Sequence, residues 1–280
     1  MISTDIFICT YARDFPYLEF CLRSIAKFAT GFNQVLLLVP NEDVNGTNGY
    51  VAKSGPHRVP VNVVGYEEKP GKGMLWHMRN IMYADTFSDA QVIAHMDADC
   101  IFTDAVTPDY LLAEDGKIIL RYEPFDSICK RHDAMMRWQE CTTKCLPFAP
   151  KYETMRSHPE AYHRDTYRVA RELIEKKTRR SVDDYILAQE NTFPQTFCEH
   201  VTLGNVAMEI ESQHYHPVLQ TSDTPTPDPR MQQFWSHGSI GEPQDIWVRG
   251  KQQSVVPIKM IQSVLGRYVP DRAAEERMAQ

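Results

Sequence analysis

Apolar positions in the first half of the chain alternate between two rhythms. Ile6 to Thr10 is a short apolar run with β-branched residues and reads as a strand. Asp14 then offers an N-cap with Pro16 in the first turn, and Leu18, Cys21, Leu22, Ile25 and Phe28 repeat at helical spacing until Gly31. Gln34 to Val39 reads as a buried strand ended by Pro40, and Val59 to Val64 as another. Gly71 to Gly73 leads into a helix with Met74, Met78, Ile81 and Met82 on one face. Gln91 to Met96 and Lys117 to Tyr122 complete the strands of this half. Strands separated by helices predict βαβ units, hence an α/β fold with a mixed, mostly parallel sheet flanked by helices.

The pattern loosens beyond about residue 125. Tyr162 to Lys177 and Val182 to Gln189 read as helices, and Val206 to Glu211 reads as a strand. Pro217 to Pro229 holds four prolines and is expected to be irregular, and Asp271 to Gln280 is a polar, helix-prone tail. Two halves of one domain are expected, 1–125 and 126–280.

Composition narrows the class. With 280 residues, 42% of them hydrophobic, the chain has ample material for a core and is too apolar to be mainly disordered. No apolar run approaches the length of a membrane span, and no basic start precedes an apolar stretch, so a cytoplasmic protein without membrane attachment is expected. Seven cysteines without C-x-x-C spacing read as reduced thiols. The net charge of −7 hides an asymmetry. Lys130 to Arg180 carries thirteen Lys/Arg against seven Asp/Glu, a local +6 that leaves −13 on the rest.

The most informative segment is His95-Met96-Asp97-Ala98-Asp99-Cys100, an apolar strand running into two aspartates one residue apart. Ligands of open α/β sheets bind at the carboxyl ends of strands, and paired carboxylates suit a hard divalent cation such as Mn²⁺ or Mg²⁺ that also takes phosphate oxygens. A solvated turn is the plain alternative. Seventeen residues upstream of Asp97, after a helix and before the strand, stands Arg79-Asn80.

An Arg-Asn pair on a helix, an apolar strand and Asp-x-Asp resemble the nucleotide-sugar glycosyltransferases of the GT-A fold, notably the large family 2. Ile6-Phe7-Ile8-Cys9-Thr10-Tyr11-Ala12-Arg13-Asp14 also resembles that family's first strand and nucleotide-holding turn. The resemblance covers roughly residues 5 to 105 and is patchier from 183 to 247. It implies a Rossmann-like transferase whose first half binds a nucleotide sugar, UDP-sugar in the leading reading, and whose second half binds the acceptor. Donor contacts are implied for Thr10, Tyr11, Arg13, Asp14, Lys72, Arg79, Asn80 and Asp97. Asp14 is equally an N-cap, and Arg79 equally a surface residue.

The resemblance further implies a metal held by Asp97 and Asp99 with a late histidine. His237, in Phe234-Trp235-Ser236-His237-Gly238-Ser239-Ile240-Gly241-Glu242-Pro243, is the choice, with His214 and His216 as rivals. Glu242 stands where such enzymes usually have lysine. An acidic pair at a helix start, Asp183-Asp184, corresponds to the family's catalytic base, with Asp184 preferred over Asp183 and helix capping as the alternative. Glu199 and Leu203-Gly204-Asn205 resemble a segment of related proteins without a derivable role.

For the acceptor, Trp138, Tyr152, Tyr162 and Tyr167 interleave the basic stretch, and Arg156, Arg164, Arg168 and Arg171 are candidate phosphate contacts. These point to DNA carrying a hydroxymethylated pyrimidine, as modified by phage-type enzymes. The alternatives are a glycan or lipid-linked acceptor, a helix face laced by Arg168–Glu172 and Arg171–Glu175 pairs, and a non-catalytic nucleotide-binding protein.

Overall fold

The computed structural model describes residues 2–68, 71–128, 133–156, 158–192, 196–221, 229–234, 236, 238–248 and 251–266. The first half alternates strongly: β1 (Thr4–Cys9), α1 (Phe15–Phe28), β2 (Val35–Pro40), α2 (Val44–Ser54), β3 (Val61–Tyr66), α3 (Gly73–Met82), β4 (Val92–His95), β5 (Cys100–Phe102) and β6 (Ile118–Pro124). There follow α4 (Phe125–Ile128), α5 (Asp133–Cys145), β7 (Tyr152–Glu153), β8 (Glu160–His163), α6 (Arg164–Thr178), α7 (Val182–Leu187) and α8 (Glu199–Glu209). The chain closes with β9 (Tyr215–Leu219), β10 (Met231–Gln233), β11 (Gln244–Val248), β12 (Lys251–Val255) and α9 (Pro257–Leu265).

The central sheet has the order β3-β2-β1-β4-β8. Its first four strands are parallel, and β8 joins antiparallel to β4. Every residue of β1, β2 and β4 is buried, as expected of strands covered on both faces. The edge strand β8 comes from beyond residue 126, so the second half completes the sheet of the first. Helix α1 packs on α2 and α9, whereas α3 packs on α6, α7 and α8. Among the described residues no helix is long and apolar enough to cross a membrane, and the six described cysteines are free and buried.

Four expectations need correction. Val206 to Glu211 is the end of α8 and the turn after it, not a strand. Helix α8 is buried from Glu199 through Ala207, so its apolar residues show no single stripe and its end mimics a strand. Tyr162 and His163 lie in β8, and α6 begins only at Arg164. Asp14 precedes α1 without a side-chain cap bond, which frees its carboxylate for other use. Pro217 sits in β9, an edge strand of a second sheet β7-β6-β9, where a missing N–H costs no central ladder bond. Most of the remaining proline-rich stretch and the tail from Asp271 lie outside the described residues.

Leu203-Gly204-Asn205 has a packing role. A Cβ at Gly204 would stand 2.1 Å from Thr154 Oγ1, so only glycine lets α8 lie this close to β7. The wholly buried Asn205 accepts from the amides of Lys151 and Tyr152 and donates to the carbonyls of Tyr152 and Val201.

Candidate functional site

The sheet order makes a crevice. From β1 the chain proceeds to β2 and β3 on one side, and β4 pairs with β1 on the other, so the carboxyl ends of β1 and β4 flank a topological switch point. Thr10 to Asp14 leave β1 there, and Asp97 to Asp99 leave β4 there. Strand β10 pairs antiparallel with β5 and brings Gln233, Phe234 and Ser236 against the same aspartates. The Ser236 amide donates to Asp99 Oδ2 at 3.0 Å, and Gln233 Nε2 donates to Asp97 Oδ2 at 3.1 Å. Asp14 joins them, bonded to the Thr10 hydroxyl at 3.4 Å and to the Ser236 side chain.

The electrostatics split the aspartate pair. Burial, then the neighbouring Asp97 charge, pushes the Asp99 carboxyl up to about 7. Asp97 moves the opposite way: burial opposes its charge, but His158 overrides that and holds it well below the usual carboxylate range. His158 Nε2 lies 3.2 Å from Asp97 Oδ2, and its Nδ1 pairs with Glu160 at the start of β8. Burial likewise opposes the charge on His158, yet the carboxylates of Glu160 and Asp97 keep it protonated. Two buried oxygens, Asp99 Oδ1 and Asp14 Oδ1, have no hydrogen-bond partner among the described residues. Unpartnered carboxylate oxygens at a strand end are a coordination position in waiting.

Most of the wall behind this pair leaves no local mark in the sequence. His158 and Glu160 were visible only as part of a basic stretch, although polar residues alternating into an apolar strand were the available signal. His77 on α3 feels the charges of Asp97 and Asp14, and burial lowers its pKa. His95 contacts Tyr167 at 2.5 Å and meets the His200 ring edge-on. Glu199, at the first turn of α8, is buried, and burial raises its carboxyl to about 8, with Asp97 and Glu160 adding to the effect. Among the described residues its carboxyl finds no partner but its own backbone amide.

The other sequence candidates divide. Thr10 is buried, whereas Tyr11 and Arg13 are exposed just beyond the end of β1. Lys72 donates to the Gln189 carbonyl at 3.1 Å. Arg79 grips Asp183 with two bonds of 3.0 and 3.1 Å and lies over the Tyr83 ring. Asn80 is corrected from donor contact to brace: it is wholly buried, bonded to Arg79 and beside Cys9. Asp184 is exposed; its amide donates to the capping Ser181 hydroxyl oxygen at 3.0 Å, and its carboxylate accepts from that hydroxyl at 2.8 Å. His216 faces Asp115 at the surface, and His214 stacks on His163, whose strand position pairs with Val92 at the far end of β4. Neither rival histidine therefore joins Asp97 and Asp99. His237 lies outside the described residues.

The arginine row is also corrected. Arg156 is half-buried between Glu123 and Glu153, and Arg171 forms a two-pronged pair with Asp85 at 2.5 and 2.8 Å. Both are occupied internally and cannot also meet phosphates. Arg164 and Arg168 remain half-exposed, paired with Asp89 and Glu172. Arg171→Ala is expected to cost about 3–5 kcal/mol, because it strands a buried carboxylate. Arg168→Ala should cost under about 1 kcal/mol. Thermal melts of the two variants check this contrast.

No family model matches the chain, and no curated protein matches it.

Proposed function

We propose that this protein is a glycosyltransferase of the GT-A type, moving a sugar from a nucleotide-diphosphate donor, UDP-sugar in the leading reading, to an acceptor hydroxyl. The observation that carries the reading is the Asp97/Asp99 pair at the switch point of a β3-β2-β1-β4 parallel sheet, with a buried Asp99 oxygen that has no partner among the described residues. The residues suit Mn²⁺ or Mg²⁺. Such ions bind through one or two carboxylates plus substrate phosphates rather than a full protein cage. Asp99 and Asp97 would hold the ion, which when bound neutralises charge developing on the diphosphate leaving group.

The chain's own groups supply the rest. Tyr11, exposed beyond β1, offers a face for the nucleotide base, and Arg13 a charge for phosphate. The ion pair with His158 holds Asp97 ionised and in one orientation. Of the acidic residues in the second half, Glu199 fits the general base better than Asp184. A base works best with its pKa near the working pH, and Glu199 is raised to about 8, whereas Asp184 spends its carboxylate on a helix cap.

Calorimetric titration of UDP and GDP with and without Mn²⁺, followed by turnover of UDP-sugars, tests the reading. Metal-dependent nucleotide binding with sugar transfer or slow donor hydrolysis is expected. Binding without either would make the protein a nucleotide binder, and no binding would overturn the assignment. Hydroxymethylcytosine DNA and soluble glycans belong in the acceptor set. With two of four arginines internal, DNA enters that comparison without its former advantage.

A further inference from the structure

We propose that His163, Asp165 and His214 form a second metal site, independent of the Asp97/Asp99 crevice, that takes a zinc-class divalent cation. One ligand atom from each of the three lies within 4.8 Å of the others. Strand β8 separates the two places. Glu160 pairs with His95 beside the crevice, while His163, three residues on, pairs with Val92 at the other end of β4. That is about 10 Å along the strand.

The scaffold under the cluster is fixed. The His163 amide donates to the Tyr215 hydroxyl at 2.9 Å, and the same hydroxyl bonds Thr166 at 2.6 Å. His214 ends the short 3₁₀ turn Ser212–His214 after α8, its amide bonded to the Glu211 carbonyl at 3.0 Å. The Asp165 amide donates to His163 Nδ1 at 3.3 Å as the N-cap bond of α6, so that nitrogen is unprotonated, and a cation would take over the lone pair that this long bond now holds. Asp165 Oδ2 stands 3.7 Å from the same nitrogen. Neighbouring ligands of a tetrahedral zinc ion are about 3.4 Å apart, given bonds of about 2.0–2.1 Å. Glu211 Oε2, 3.5 Å from His214 Nε2, adds an oxygen within reach.

The donor set decides the cation. Two imidazoles with carboxylate suit zinc and its transition-metal neighbours, whereas the crevice offers carboxylates that suit magnesium or manganese. The two rings now stack 3.8 Å apart and 4° from parallel. Parallel rings aim their lone pairs along separate planes, so binding must splay them by rotation about χ2, a soft torsion. Metal loading therefore has a signature in the two rings themselves.

The test uses the full, untagged chain and Zn²⁺ alone in isothermal titration. One zinc per chain is expected, retained in Asp99→Asn and weakened about 100-fold or more in His214→Ala. Loss of less than about tenfold in His214→Ala, or loss in Asp99→Asn with retention in His214→Ala, overturns the site. Should His214→Ala fail to fold, proton NMR of the wild type decides. The His163 and His214 ring signals must move at one equivalent of zinc, ahead of the other histidines, and unmoved signals refute the proposal.

Discussion

Replacing Asp99 by asparagine is expected to cut sugar transfer by about 100-fold or more while making the metal-free protein more stable at neutral pH. Residues that merely orient metal ligands are worth about 10–100-fold, so a ligand itself should exceed that range. Asparagine can keep the Ser236 amide bond but cannot supply charge to an ion. The stability change follows from linkage. Asp99 titrates at about 7 in the folded chain, above the ordinary carboxylate range, so the native state holds a proton that the unfolded state has released. Its favourable contribution is complete below about pH 4 and is lost as pH rises through about 7. Asparagine never ionises and escapes that loss. The gain at pH 8 should not exceed about 4 kcal/mol. Melts from pH 4 to 8 should show the variant and wild type converging at the acid end. A variant that is inactive and also less stable at pH 8 would turn the result into a folding defect.

The sequence made the sheet legible because its buried strands are short apolar runs with sharp stops. Ile6 to Thr10, Gln34 to Val39 and Gln91 to Met96 each fall within a residue or two of β1, β2 and β4. Asp97 and Asp99 were legible for the same reason, since they interrupt such a run. What stayed hidden has a common physical cause. Helix α8 is buried on all sides, and burial erases the stripe that reveals a helix. His158, Glu160 and Glu199 are polar groups inside the protein, and nothing local announces that the fold will enclose them or that His158 will pair with Asp97, about 60 residues away. The arginines misled for the converse reason. Composition makes a basic stretch, but only the fold tells that Glu123, Glu153 and Asp85 lie waiting for Arg156 and Arg171. Charge density along the chain is therefore a poor guide to charge presented at the surface.

Glu199→Gln is expected to lower the transfer rate by about 10²–10⁴-fold, equivalent to roughly 3–5 kcal/mol of activation free energy, with little change in donor affinity. The base must be ionised to accept the acceptor's proton. With its carboxyl raised to about 8 by burial, the wild-type rate should climb with pH through that value, and the glutamine variant should lose this limb. Folding moves the other way. A folded pKa above the unfolded one means that stability is present below about pH 4.5 and declines as pH rises toward 8. Glu199→Gln should therefore melt at or above the wild-type temperature at pH 8, so lost activity cannot be blamed on unfolding. Asp184→Asn is the matched control. It disturbs the Ser181 cap at an exposed helix start, worth about 1 kcal/mol, and should leave the rate within about twofold. If Asp184→Asn abolished transfer while Glu199→Gln spared it, the base would be the capping aspartate. Glu199 would then be a buried acid whose high pKa reflects its surroundings alone.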